Sequence, residues 1–317
     1  MIDKAKYAFL YFKYFKGVTP LIYLFLDMFS GKYSEKLIKT RIGNYAVTLP
    51  LSAIREFLLY AGKNKVEKIY VDSDEKSIII NSDKIPLNEI WGIGAYVRGW
   101  RYKDGLWFYK NVKFKHMIFT IYETFNDQEY YDPGIKGREV VDVGGGVGDT
   151  AVYFAKNGAS KVITVEPLPV LVKEIEENLK LNDVMNQVVV INAALGSSKG
   201  KIHVPLNYDI YYSFSYKSDN KGEIEIEKIT LGDILKTISD PYLLKMDCEG
   251  CEYDIIMNDY ENVKKFEKLV FEFHYPKKVN EIQNLLSNDF ECISRKGKVT
   301  YLIKCTKNNL NIFSIYA

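Results

Sequence analysis

The run VVDVGGGVGDT at residues 140–150 constrains this chain more than any other segment. It begins as a buried strand of branched apolar residues. It then passes Gly144, Gly145, Gly146 and Gly148, and the helical pattern of residues 151–155 follows at once. Glycine removes the Cβ atom, so the turn can be tight and a ligand can lie against the backbone. A strand, a glycine-rich turn and a helix N-terminus in succession make a nucleotide-type site on an α/β fold.

The dinucleotide pattern G-x-G-x-x-G fits badly, because Gly144 and Gly146 match but the third position is Asp149. Asp142 sits inside the strand, two residues before the first glycine. A carboxylate there is expected to receive an amino-acid ammonium group and to repel a pyrophosphate. Asp149 complements the helix dipole but competes with phosphate. A ligand with an amino-acid cation and no phosphate is S-adenosylmethionine. The next strand, residues 161–165, ends in Glu166-Pro167, where an acid is placed to accept hydrogen bonds from both ribose hydroxyls. A third strand, residues 188–191, ends in Asn192-Ala193-Ala194, a polar side chain and small residues that suit an adenine edge and face. The expected cofactor set is Asp142, Gly144, Gly145, Gly146, Asp149, Thr150, Glu166, Pro167, Asn192 and Ala193, with Asp247 from a later strand.

With these residues the chain resembles the FkbM-type methyltransferases. The likeness rests on residues 142–155, on Glu166-Pro167, on Asn178 and Asn182, and on the run KMDCEGCE at residues 245–252. The family form of that run is (I/L)K-x-D-x-E-G-x-E, and every fixed position is present. Residues 125–130 resemble the segment that precedes the family's glycine loop. The likeness covers residues 114–306. It implies a Rossmann-like class I methyltransferase that uses S-adenosylmethionine on a hydroxyl of a sugar, glycan or polyketide-like molecule.

The remaining pattern agrees with that class. Strands at 242–246 and 268–273, helices at 168–181, 231–238 and 279–286, and a closing pair at 290–294 and 299–305 follow in β-α-β order. They predict a doubly wound, mostly parallel seven-stranded sheet with an antiparallel C-terminal strand. An insertion at 201–228 reads as a β-hairpin excursion, its middle (208–216) rich in Tyr and Ser. The division expected is an accessory α+β region at 1–113 and a methyltransferase domain at 114–317.

In that first region residues 4–29 read as one aromatic-rich helical stretch, and short strands are expected at 45–49, 68–71 and 77–81 around a helix at 51–61. Trp91, Tyr96, Trp100, Tyr102, Trp107, Phe108 and Tyr109 crowd one region and suit either a sugar-stacking platform or an ordinary core. Residues 1–40 are basic and aromatic, which suits a helix packed on the protein with its lysines in water, or peripheral contact with a membrane and a lipid-linked acceptor. A net charge of +2 gives no global reason to bind nucleic acid. No apolar run is long enough to span a bilayer, and four cysteines do not suggest a secreted disulfide scaffold, so a cytoplasmic enzyme, membrane-peripheral at most, is expected.

Ligands bind beyond the carboxyl ends of the strands in such sheets. That rule gathers His274, Asp247, Glu249 and Glu272 as catalytic candidates. An alcohol is a poor nucleophile until its proton is accepted, and His274 is the expected base, with Asp247 next. Asp247, Glu249, Glu252 and Glu272 are also oxygen donors of the kind magnesium takes. Cys248 and Cys251 are expected to be small packing residues at variable motif positions. Two other functions are consistent with parts of the pattern. One is an N-methyltransferase for protein or RNA, which the D-C-E-G segment does not favour over O-methylation. The other is a scaffold with a degenerate site, against which Asp142, Glu166 and Asp247 stand intact.

Overall fold

The computed structural model describes residues 4–30, 36–63, 65–215, 221–297 and 300–308. The chain forms two compact units, residues 1–127 and 128–317.

The first unit opens with two helices, Lys4–Tyr14 and Val18–Ser30, where the sequence pattern reads as one. Gly17 breaks it with φ at +108°, a conformation that L side chains rarely adopt. An antiparallel hairpin, Leu37–Ile42 with Tyr45–Pro50, and a helix, Leu51–Tyr60, come next. Two three-stranded antiparallel sheets follow, separated by the helix Gly92–Val97, and a short helix, Phe119–Tyr122, comes after them. Trp91, Tyr96, Trp100 and Trp107 are buried, so these members of the aromatic cluster are core, while Tyr102, Phe108 and Tyr109 are half-buried. The indole N–H groups of Trp107 and Trp100 find Glu89 Oε2 and Asn126 Oδ1, each at 2.9 Å, which is how a buried tryptophan stays satisfied. Phe114 and Phe125 pack on each other and on Trp100. That packing carries the first unit past residue 113, the boundary read from the sequence.

The second unit is built on seven strands: β1 (Glu139–Val143), β2 (Lys161–Val165), β3 (Val188–Ile191), β4 (Pro241–Met246), β5 (Lys268–Phe273), β6 (Phe290–Lys296) and β7 (Tyr301–Lys307). Their order is β3-β2-β1-β4-β5-β7-β6. β7 runs antiparallel to β5 and β6, and the pairings among β1 to β5 are parallel. This is the doubly wound, Rossmann-like, mostly parallel seven-stranded sheet that the sequence pattern predicts. Between the strands lie α1 (Asp149–Lys156), α2 (Pro169–Leu181), α3 (Leu231–Leu235), α4 (Cys251–Asn258) and α5 (Val279–Leu286). β1 to β3 build outward on one side and β4 and β5 on the other, which puts the topological switch between β1 and β4.

The excursion at 201–228 contains an antiparallel pair, Gly200–Val204 with Ile224–Ile229, and Ala194–Leu195 adds a parallel third strand. Residues 216–220 of that excursion and Val299 of the expected last strand lie outside the described residues.

All four cysteines are paired, Cys248 with Cys251 and Cys292 with Cys305. For Cys248 and Cys251 this corrects the expectation of small packing residues. Cys292 and Cys305 face each other in the β6–β7 register, and the two-residue Glu249-Gly250 turn folds Cys251 back onto Cys248. The C-x-x-C spacing of Cys248 and Cys251 is compatible with a redox pair, whereas the Cys292–Cys305 relation comes from register alone.

Candidate active site

The site begins with a row of side chains fixed by register. Asp142 on β1 lies opposite Thr164 on β2 and Lys245 on β4, so the three share one face of the sheet. Asp142 Oδ1 lies 3.0 Å from Lys245 Nζ, and Oδ2 accepts from Thr150 at 2.7 Å and Thr164 at 3.2 Å. Both members of the ion pair are almost fully buried, at 0% and 2% side-chain exposure. Burial pulls the lysine down, but the charges of Asp142 and Asp247 outweigh it and hold it charged. Asp142 was expected to meet the cofactor's ammonium group; here it engages the chain's own lysine and two threonines.

Lys245 also donates to Gly144 O at 2.8 Å. It therefore ties the start of the glycine turn to the centre of the sheet. A lysine inside an apolar strand (YLLKM) is the signal that could have flagged it, because a buried charge requires a partner.

The turn itself is set by close approaches. Gly144, with φ at +79°, passes so near β4 that a Cβ would sit 1.8 Å from Asp247 O. A Cβ on Gly145 would sit 2.4 Å from Thr164 Oγ1. Asn178 of α2 donates to Val147 O at 2.9 Å, and Asn182 donates to Asn178 O at 2.8 Å, which gives the two asparagines of the resemblance a structural role. Gly146 is different: nothing lies closer than 4.0 Å to the Cβ position, so the turn is open there.

Glu166 follows β2 and faces this turn. It accepts from Gly146 N and Leu168 N, both at 3.0 Å, and is 5% exposed. Burial pushes its carboxyl up to about 7, against the two backbone N–H groups that favour the anion. Asn192 donates to Glu166 O at 2.9 Å and Pro167 O at 3.0 Å, locking the ends of β2 and β3 together. Ala193 is 2% exposed beside it, and Asp149 and Thr150 are buried in the first turn of α1.

These residues fit the cofactor the sequence implies. Gly146 offers an open backbone edge, Glu166 an acceptor for a ribose diol, and Asn192 and Ala193 border the next position. A diol donating to Glu166 favours its anion, so ligand binding lowers that carboxyl and releases a proton. S-adenosylhomocysteine is therefore expected to bind more tightly as pH rises through about 7 and to level off above it. Calorimetry at about pH 6 and about pH 8 should differ by roughly tenfold in affinity. The stability sign is the reverse. A carboxyl raised on folding contributes fully below its unfolded value of 4.5, and that contribution is lost as pH rises through about 7.

The second half of the site lies at the ends of β4 and β5. Tyr130 donates to Asp247 Oδ2 at 3.3 Å; burial and the charges of Asp247 and Glu272 keep the phenol protonated. Tyr130 was recognised only as part of a family segment, and its contact spans 117 residues of chain. His274 Nε2 lies 3.4 Å from Glu249 Oε2 and 3.9 Å from Asp247 Oδ1, and Nδ1 lies 3.4 Å from Glu252 Oε1. Burial pulls the imidazole down, but Glu249 and Glu252 outweigh it and push it up to about 11. At neutral pH His274 is an imidazolium, which has no lone pair to accept a proton.

Glu272, two residues earlier on β5, accepts from Thr300 and is pushed up to about 7 by burial and by the charge of Asp247. Glu252 is 0% exposed and accepts from Cys248 N at 2.8 Å, which holds the start of α4 against the Cys248–Cys251 turn. Glu249, at the tip of that turn, has φ at +56°.

Residues 142–292 match the family model described as the methyltransferase FkbM domain. A ribosomal protein L11 methyltransferase of Chloroflexus aurantiacus is 34% identical over 67 residues, 21% of this chain and 20% of that protein. The chain thus spans only a fifth of that curated relative. Among solved structures, an FkbM methyltransferase from Methylobacillus flagellatus is 13% identical with a TM-score of 0.40, covering 80% of this chain and 59% of its own. A ribosomal protein L11 methylase from Lactobacillus delbrueckii subsp. bulgaricus is 14% identical with a TM-score of 0.36, covering 55% and 72%. Over residues 142–292, just under half of its length, the chain therefore carries a domain of the methyltransferase FkbM type.

Proposed function

We propose that the protein methylates a hydroxyl group of a sugar, glycan or related small molecule. The observation that carries this reading is the pair of carboxylates Asp247 and Glu272, at the ends of adjacent strands beside the glycine turn. S-adenosylmethionine, when bound, supplies an electrophilic methyl group on a sulfonium. The chain's part is to hold that cation near carboxylates and to accept the hydroxyl proton as the new bond forms.

The accepting role passes from His274 to the carboxylates. Glu272, raised to about 7, is partly ionised at neutrality and basic enough to share a developing proton. The imidazolium of His274 keeps Glu249 and Asp247 in place by charge. With Glu272 as acceptor, kcat rises with pH and levels off above about 7; a base at His274 would keep it climbing toward about 11. In an acceptor screen that reads S-adenosylhomocysteine release, Glu272→Gln and Asp247→Asn should each lower kcat by about 10²–10⁴. The Glu272 variant should leave S-adenosylhomocysteine affinity within about threefold. Equal turnover in wild type and Glu272→Gln would remove the carboxylate from the reaction.

Magnesium fits this site poorly. Among the described residues, the groups that converge within 4.8 Å are Asp247, Glu252 and His274. One of the three is an imidazole, whereas magnesium takes oxygen ligands. Added magnesium is expected to leave turnover unchanged.

A protein amine is the second acceptor reading, favoured by the short match to an L11 methyltransferase. Including lysine-rich peptides beside sugars in the same screen separates the two. A cytoplasmic setting, where S-adenosylmethionine is made, remains part of the proposal, and there the Cys248–Cys251 and Cys292–Cys305 pairs would be held reduced.

A further inference from the structure

The helix Val18–Ser30 is built inside out for a solvated surface. Its only charged residue, Asp27, faces inward, is 1% exposed and pairs with Arg55 at 2.9 Å. Pro20, Leu21 and Leu24 share that inner face. The outward stripe is apolar: Val18, Ile22 and Leu26, spaced four apart, are 62%, 52% and 45% exposed. The preceding helix adds Phe9 at 71% and Phe12 at 53%, opposite the buried Tyr7, Tyr11 and Tyr14. A helix that is apolar on every side belongs in a core or against a hydrophobic surface.

The charges of this region are mostly positive. Residues 1–42 hold eight lysines and arginines against three acids, a net +5, in a chain whose total is +2. Lys13, Lys16, Lys39 and Arg41 are all exposed. A backbone bridge joins Lys16 to Arg41, with Lys16 N donating to Arg41 O at 2.8 Å, so both cations lie at the very start of the apolar helix. Lys39 and Arg41 point to the exposed side of their strand together with Leu37, which is 42% exposed.

Exposed aromatic and aliphatic residues rimmed by cations match a surface that is apolar below and anionic above. A second copy of this face would set like charges against one another. Among the described residues no helix is long and apolar enough to cross a membrane, so the contact is one of lying on the surface. We infer that the face formed by Phe9, Phe12, Val18, Ile22 and Leu26, with Lys13, Lys16, Lys39 and Arg41, docks on an anionic lipid bilayer. The apolar stripe enters the headgroup–acyl boundary and the cations pair with lipid phosphates and carboxylates. Docking of this kind would let the protein meet a membrane-bound acceptor. The binding itself does not depend on the methyl-transfer reading.

The test is flotation of the full chain with vesicles of phosphatidylcholine alone or mixed with phosphatidylserine. The wild type should float with the mixed vesicles at least about tenfold more than with the neutral ones, and less so as salt is raised. The Ile22→Glu/Leu26→Glu variant should lose that binding by about tenfold or more. Lys16→Glu/Lys39→Glu should lose the preference for phosphatidylserine. Unchanged S-adenosylhomocysteine affinity in both variants shows that the methyltransferase unit is folded, and circular dichroism matching wild type shows the same of the helices. A wild type that floats with neither vesicle overturns the inference, as does full binding by Ile22→Glu/Leu26→Glu. A dimer seen by sedimentation velocity and abolished by Ile22→Glu/Leu26→Glu, without flotation, also overturns it and gives the face to a second copy.

Discussion

Gly144→Ala should weaken cofactor binding strongly and destabilise the methyltransferase unit by about 3 kcal/mol or more. The added Cβ would lie 1.8 Å from the carbonyl oxygen of Asp247 and 2.7 Å from its carbonyl carbon, and both are backbone atoms at the end of β4. Neither can swing aside as a side chain tip can. The φ of +79° adds strain of its own. Relief therefore requires the glycine turn and the β4 end to part, and these two segments carry the cofactor and catalytic candidates. S-adenosylhomocysteine affinity should fall by about a hundredfold, or about 2.7 kcal/mol. Gly137→Ala is the control. Gly137 has φ at +77° but nothing within 4 Å of its Cβ position, so its alanine variant should show only the conformational cost, about 1–2 kcal/mol. Urea denaturation of the two variants separates collision from strain. Equal losses would mean that the approach to Asp247 is looser than 1.8 Å implies.

Lys245→Met should cost about 3–5 kcal/mol of stability, because it leaves the Asp142 carboxylate buried with only two threonine hydroxyls. Asp142→Leu should cost a similar amount for the opposite reason, leaving the buried ammonium group with only backbone carbonyls to donate to. The double variant Asp142→Leu/Lys245→Met should recover a large part of the loss, since replacing a buried ion pair with apolar groups of similar volume is often near neutral. A double-mutant cycle in urea reads the coupling directly. If the double variant folds and still binds S-adenosylhomocysteine, Asp142 serves the turn as a support. If it folds and no longer binds, Asp142 touches the ligand as the sequence pattern suggests.

Much of the seven-stranded sheet is legible in the amino-acid sequence. The β-branched runs of β1, β2 and β3 each stop at a glycine, an acid before proline, or an asparagine, and those stops mark the strand ends where ligands collect. The motif at residues 245–252 marks the matching end of β4. The first unit is less legible. Its aromatics have no period that separates a platform from a core, and only the fold shows Trp91, Trp100 and Trp107 sealed inside, with the indoles of Trp100 and Trp107 satisfied.

The sequence alone therefore determined the glycine turn, the strand order class, the acidic strand tips and the family. Each is a local matter: a missing Cβ, an alternation, a charge at a boundary. Tertiary structure alone decided what those charges do. Register set Asp142 beside Lys245, folding brought Glu249 and Glu252 against His274 and turned the expected base into an imidazolium, and pairing closed Cys248 on Cys251. The physical reason is the same in each case. The state of a buried charge or thiol depends on neighbours brought in by the fold, and spacing along the chain does not name them.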